Sequence, residues 1–279
     1  MPLTTDRALA RRLELAEGRT NAAFVAARAR VAPASGAATR AIDGTLAMFD
    51  GVDSPLTQSF GLGLHGDVAD ATLDALEAFF DERGADTHHE TAPLGDPSLP
   101  ARLQDRGYRV HELTSVLVAD LAALVAREAP VSAVTARLVG ADEATLWSAT
   151  AAAGWGEIPG LDAFMRDLGH VAIAAEGTTC FLAQLDGVAV GTGTMSIHDG
   201  VVLLAGASTV PAWRARGAQA VLLHARLRHA LEAGCDLAMM GAAPGSTSQG
   251  NAERRGLRMA YTRLKWRRAH PGGGLVAPR

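Results

Sequence analysis

The sequence predicts an α/β protein, its helices and strands mixed as in the α+β class, arranged as two tandem domains. Three observations predict it. Stretches of helical and of strand periodicity alternate along the chain. A pattern in the first half returns in the second. Finally, 279 residues of which 48% are hydrophobic suffice for two cores of ordinary size.

The elements follow in order. A first helix is expected near 5–30, where Leu9, Leu13, Ala16 and Phe24 keep a loose helical spacing. DVADATLDALEAFFDER is an amphipathic helix, and a segment beginning at Gly84 ends in an alternating strand. ALVAREAPVSAV, at 123–134, marks a boundary: Pro130 stops a helix and VTARLV starts a strand. ADEATLWSATAAAG is a helix with Ala141 or Asp142 near its cap. TTCFLAQLDG and VAVGTGTMSIHDG alternate as strands closed by Asp-Gly turns at 186–187 and 199–200. VVLLAGASTV is a further strand. Gln219 to Gly234 is a helix, with Leu223, Leu227, Ala230 and Leu231 on one face, and CDLAMMGAA a buried strand. The division expected is 1–127, 131–270 and a flexible tail, 271–279, rich in glycine and proline.

The internal echo is specific in order and spacing. GADTHHETAPLGDPSLPARLQDRGYRVHELTSVLV and GCDLAMMGAAPGSTSQGNAERRGLRMAYTRLKW both run Gly-x-Asp, Ala-Pro, Arg-Gly, then an alternating strand. Gly84 and Gly107 are 23 positions apart, Gly234 and Gly256 22. An amphipathic helix precedes each, which points to a duplicated domain.

Composition excludes several classes. A formal net charge of −4 argues against general nucleic-acid binding. Lys265 is the one lysine among 26 basic residues, a bias of GC-rich coding rather than of function. Cys180 and Cys235 sit beside apolar stretches and are expected as core residues, neither a disulfide framework nor a zinc site. MPLTTDRALARR lacks an apolar run of signal length, and no stretch reaches the ~18 apolar residues of a membrane span. A soluble, cytoplasmic protein is expected. His88, His89 and Glu90 are adjacent on a strand, hence on alternating faces, and no joint metal site is expected. His170 and His198 are expected at the surface, after a helix and at a hairpin tip.

The two copies differ at one helix start. The second has Arg214, Arg216 and Gly217 ahead of its helix. Unpaired N–H groups, a glycine and two arginines make an anion site. The first has GLGLHGDVAD, with Gly66 in the matching place, no arginine, and Asp67 and Asp70 in the first turn, which repel a phosphate. No Gly-x-Gly-x-x-Gly follows an early strand, so a dinucleotide-binding fold fits less well.

STVPAWRARGAQAVLLHARL resembles the signature of the GCN5-related N-acetyltransferases, in which an Arg/Gln-x-x-Gly-x-Gly/Ala turn opens a helix after a splayed strand. The matching positions are Arg214, Gly217 and Gln219, the last a glutamine where glycine or alanine is usual. APGSTSQGNAERRGLRMAYTRLKW resembles the family's end, with Leu257 replacing an aromatic. The resemblance covers about 135–279 well and 1–125 as a degenerate copy. It implies two domains, each a mixed, mostly antiparallel twisted sheet flanked by helices, with acetyl-CoA as co-substrate. Thr209 and Val210 would pair with the pantetheine arm, and an N–H there would polarise the thioester. Arg214, Arg216, Gly217, Ala218, Gln219 and Ala220 would hold the pyrophosphate. Asn251 would contact the cofactor, or else stand at a helix start capped by Ser248.

The expected reaction moves an acetyl group to a primary amine of a small molecule or peptide. The family's helix tyrosine is missing from NAERR. Tyr261 is the nearest proton donor, with a core tyrosine as the other reading, and Ser248 is an alternative donor. Glu157 is the candidate base, or else a solvated loop carboxylate. Trp155 and Phe164 would add an apolar wall. Two other classes stay open: a non-catalytic acyl-CoA-binding sensor or docking module, and a structural pair in which Gln219 blocks the turn. Monomer and homodimer are both compatible with two fused copies.

Overall fold

The computed structural model describes residues 3–127, 129–156 and 161–272. The helices and strands run in the order α1 (Arg7–Val31), β1 (Ala38–Ile42), β2 (Thr45–Phe49), β3 (Gln58–Phe60), α2 (Asp70–Asp81), β4 (Thr87–Thr91), α3 (Leu99–Asp105), β5 (Arg109–Asp120), α4 (Leu121–Val125), β6 (Thr135–Leu138), α5 (Ala144–Gly154), α6 (Leu161–Ala174), β7 (Thr178–Leu185), β8 (Val188–His198), β9 (Val201–Thr209), α7 (Ala218–Glu232), β10 (Leu237–Ala242), α8 (Thr247–Arg254) and β11 (Arg258–Arg268). No helix among the described residues is long and apolar enough to cross a membrane.

The chain forms two compact units. One comprises Met1–Leu117, Gly241–Glu253 and Met259–Arg279, the other Val118–Met240 and Arg254–Arg258. The units therefore are not the continuous segments 1–127 and 131–270. The physical reason is the side-chain set of β11. Arg263 Nε donates to Glu14 Oε1 at 2.9 Å and its Nη2 to Glu17 at 2.6 Å. Trp266 Nε1 donates to Thr91 Oγ1, and Arg267 and Arg268 pair with Asp86 and Asp81. These partners all lie in the first unit, so β11 lies there, antiparallel to β4 with Lys265 opposite Glu90.

Both units are built on one pattern. In the first, β1, β2 and β3 are antiparallel and α2 crosses over to β4, parallel to β3. In the second, β7, β8 and β9 are antiparallel and α7 crosses over to β10, parallel to β9, with β6 pairing antiparallel to β7. The echo is exact in its caps. Gly84 and Gly234 both take positive φ after their helices, and Ala85 and Cys235 donate to the carbonyls of Phe80 and Ala230. The Asp-Gly turns at 43–44, 186–187 and 199–200 all have φ > 0 at both residues, the geometry of tight hairpins.

The strands of each unit are covered on both faces. In the first unit Met48 and Phe60 pack with Val25 of α1, while Ala47 and Phe49 join Leu73, Leu76, Phe80, Leu103 and Trp266. In the second, Cys180 and Leu182 of β7 meet Trp147 and Ala151 of α5, and Phe181 turns to His229 of α7. Several boundaries differ from expectation. The helix at ADEATLWSATAAAG opens with a 3-10 turn at 141–143, where the Glu143 carboxylate accepts from Gly140 N–H. His170 lies within α6 rather than after it, Asp67 lies before α2, and both cysteines are buried. Burial pushes the Cys180 thiol up to about 12.

His89 faces the core, between Ser59 Oγ at 2.7 Å and the Tyr108 hydroxyl at 3.1 Å, while His88 meets His111. Burial drives His89 from 6.5 to about 3. The unfolded chain therefore takes up this proton first, so stability is full above pH 6.5 and falls as pH drops toward 3. In thermal melts between pH 4 and 7, His89→Gln should show a shallower acid loss than the wild type, by about one proton. An unchanged slope would contradict the buried neutral imidazole.

Candidate functional site

The second unit carries an open helix start. Gly217 has φ 89° and ψ 0°, and no side chain caps α7. Val221 N–H is the first in the helix to find a main-chain partner, Gly217 O at 3.1 Å. The N–H groups of Ala218, Gln219 and Ala220 lack intrahelical acceptors by position and gather at the loop. The preceding residue pattern forces this turn. Pro211–Trp213 form a 3-10 turn, Arg214 is extended and Ala215 takes φ 61°. A Cβ at Gly217 would stand 2.9 Å from Ser132 Oγ, so glycine is required by contact as well as by φ.

The arginines flank this loop. Arg216 lies over the Trp213 ring at 4.9 Å, and its carbonyl accepts from Ser132 Oγ at 3.0 Å. Arg214 Nη2 donates to Gly154 O at 3.3 Å. Both are exposed, as a charged ligand requires. Ser132, which no motif singles out, also accepts from Val134 N–H and so ties the loop to the start of the unit. The Gln219 side chain turns back: its amide donates to Ser208 O at 2.8 Å and Thr209 Oγ1 at 2.7 Å. It braces the end of β9 to the helix.

Beside this loop β9 parts from β10. Their ladder is three residues long, Val201 to Leu203 against Leu237 to Met239, although β9 continues to Thr209. Ala205, Gly206 and Ala207 are exposed. Val210 N–H is bound to Val190 O at 3.0 Å, so it is not available to a thioester. By strand alternation the Thr209 main chain points away from β8. The exposed stretch of β9 beyond that ladder is thus Ala205–Ala207, with Thr209, rather than Thr209–Val210.

The first unit treats its matching loop differently. Asp96, buried, accepts from Val68 N–H at 3.0 Å and from Ser98 N–H and Oγ at 2.8 and 2.7 Å. These donors hold its carboxyl below the usual range, against the pull of burial. Arg102 donates to Val68 O and to Asp70. A cavity of about 180 Å³ next to α2 is lined by Asp43, His65 and Asp67 among others. The loop already holds an internal carboxylate, and its rim is acidic.

The remaining candidates divide. Tyr261, Ser248 and Asn251 belong to the first unit by contact. The Tyr261 hydroxyl, buried, donates to Glu14 Oε1 at 2.8 Å. Burial and the Glu14 charge hold its proton well above the usual range. That is the satisfied core tyrosine, not an available acid. Ser248 and Asn251 are exposed on α8. The cap of α8 is Ser246, which accepts from Gln249 N–H at 3.2 Å, and not Ser248. Glu157 lies outside the described residues. Trp155 and Phe164 are exposed near it in sequence.

No family model matches the chain, and no curated protein matches it. Solved structures do. A GCN5-related N-acetyltransferase from Kribbella flavida is 22% identical with a TM-score of 0.63, over 90% of this chain and 96% of that one. A GCN5-related N-acetyltransferase from Sphaerobacter thermophilus is 18% identical with a TM-score of 0.52, over 78% and 74%. The chain thus has the fold of the GCN5-related N-acetyltransferases. Its form is the tandem one: a tandem GNAT protein from the clavulanic acid biosynthesis pathway is 12% identical with a TM-score of 0.59, over 82% and 79%.

Replacing Gln219 by Ala should cost about 1 kcal/mol of stability in urea denaturation, for two hydrogen bonds, one half-buried and one exposed. An unchanged denaturation midpoint would contradict the brace between β9 and α7.

Proposed function

We propose that the protein is an acetyl-CoA-dependent N-acetyltransferase whose cofactor site lies in the second unit. The observation that carries this reading is the uncapped start of α7, with Arg214 and Arg216 exposed beside it and the unpaired edge of β9 adjoining. N–H groups at a helix start, aided by two guanidinium groups, suit a pyrophosphate. An open strand edge suits the amide-bearing pantetheine arm, which would add to it as a strand does. The fold supports the same reading, since the similar structures named above are N-acetyltransferases by description.

In this reading Arg214, Arg216, Gly217, Ala218, Gln219 and Ala220 cradle the pyrophosphate, with Gln219 acting through its backbone. Thr209 and the Ala205–Ala207 edge hold the pantetheine. Thiol release needs a proton and the amine must lose one. With Tyr261 committed to Glu14 and Ser248 placed in the first unit, the first is assigned to water, and Glu157 is the carboxylate proposed for the second. The acceptor is a primary amine of a small molecule or peptide. The first unit is a degenerate copy that holds no CoA, because Asp67 and Asp70 at the start of α2, with the buried Asp96 on Val68 N–H, repel a pyrophosphate.

Isothermal titration of acetyl-CoA should give one site per chain. Two sites would return the first unit to function, and none would remove the cofactor reading. Arg214→Glu with Arg216→Glu should weaken binding by about tenfold or more without lowering the melting temperature, since both side chains are exposed. A non-catalytic acyl-CoA sensor is the second reading, favoured by the spent Tyr261 hydroxyl. It predicts the same binding with no CoA released across an amine panel.

A further inference from the structure

Arg226 of α7 is fully buried, yet no carboxylate pairs with it among the described residues. The other buried arginines differ: Arg28 pairs with Asp50, and Arg263 with Glu14 and Glu17. Arg226 gives its protons to carbonyls instead. Nη1 donates to Thr194 O at 3.0 Å and to Ala205 O at 3.2 Å, and Nε to Leu222 O at 3.1 Å. Burial lowers it only to about 10, so it remains a cation at neutral pH.

Those two strand carbonyls lie at a special place. Thr192 pairs with Ser208 and Thr194 with Ala205, so β9 spends one more residue than β8 over this stretch. That is a β-bulge. It contains Gly206 at φ 56° and coincides with the exposed Ala205–Ala207 edge. A ladder carbonyl normally points within the sheet to a neighbouring strand. Here Ala205 O also accepts from a helix side chain, which fixes its peptide plane at the bulge. Space for the guanidinium comes from Gly193, where a Cβ would stand 3.0 Å from Arg226 Cζ.

We propose that Arg226 is a positioning residue: clamped to Thr194 O and Ala205 O, it holds the β9 bulge so that the exposed edge offers its N–H groups to the carbonyl of a bound acyl thioester. An uncompensated buried cation costs stability. A gain at the reacting group is the kind of function that retains one. The inference rests on the acyl-CoA reading above.

The test compares acetyl-CoA with S-ethyl-CoA, a thioether lacking the carbonyl, by calorimetric titration. The wild type should prefer acetyl-CoA about fivefold, the worth of one net hydrogen bond. Arg226→Met should bind both ligands equally while keeping S-ethyl-CoA affinity within about twofold, the pyrophosphate loop being intact. Arg226→Lys should restore part of the preference, which a loss of packing alone would not do. A wild type without preference, or an Arg226→Met variant that keeps it, overturns the inference and leaves the acyl-CoA reading standing. Should Arg226→Met not fold by circular dichroism, Gly193→Ala decides. It keeps the arginine and displaces it, so loss of preference supports the clamp and retention overturns it. A wild type that binds neither ligand overturns the acyl-CoA reading itself.

Discussion

The contact on which the first unit depends is Arg263 with Glu14, a pair buried on both sides and 249 positions apart. Tyr261 shares the same carboxylate oxygen and Glu17 takes the far guanidinium nitrogen. Burial raises Glu14 to about 7 in spite of the cation beside it. Such a pair contributes little net stability compared with an apolar one, but losing either partner leaves a stranded charge. Its effect is on arrangement. Alternate residues Tyr261, Arg263 and Lys265 bring their polar ends to the α1 face, where Glu14, Glu17 and Glu90 receive them. A shift of β11 by one residue would put all three on the opposite face.

The two units show one supersecondary pattern put to different uses at its helix start. α2 and α7 both follow a third antiparallel strand and lead to a parallel fourth, and both end at a left-handed glycine. Neither helix start carries a side-chain cap, but in one loop the buried Asp96 takes the Val68 N–H and acidic residues line the approach, whereas in the other two exposed arginines stand beside the start. The difference follows from a few residues: Asp67, Asp70 and Asp96 against Arg214 and Arg216. Acidic groups near a helix start stabilise the helix and repel a second anion by the same field.

Much of this was legible in the sequence. Asp-Gly pairs between alternating runs located the hairpins, and the spacing from Gly84 and Gly234 disclosed the duplication, because turn glycines are set by backbone sterics alone. The Arg214–Gly217 motif located the open helix start for the same reason. What escaped depended on distant partners. The placement of β11 is decided by Glu14, Glu17 and Asp86, which lie far from it along the chain. Arg226 reads as one polar residue in a helical stripe, and its burial shows only once Gly193 makes room. Likewise Tyr261 and Ser248 stand near a motif along the chain, whereas the first is bonded to α1 and the second yields its capping role to Ser246. Val210 illustrates the same limit on a smaller scale, since strand alternation and the bulge decide which N–H is spent on β8.

The position of β11 also constrains the order in which the protein can acquire its structure. β4 and β5 are made early, but β11 lies between them in the sheet of the first unit. Until residues 258–268 emerge from the ribosome, those strands have an unfilled lane, with main-chain hydrogen-bonding groups open to other strands. The first unit in synthesis is thus among the last to close, and its contacts are of long sequence separation, which slows folding. A nascent chain halted before residue 258 holds all of α7 and its loop while the first unit still lacks a strand.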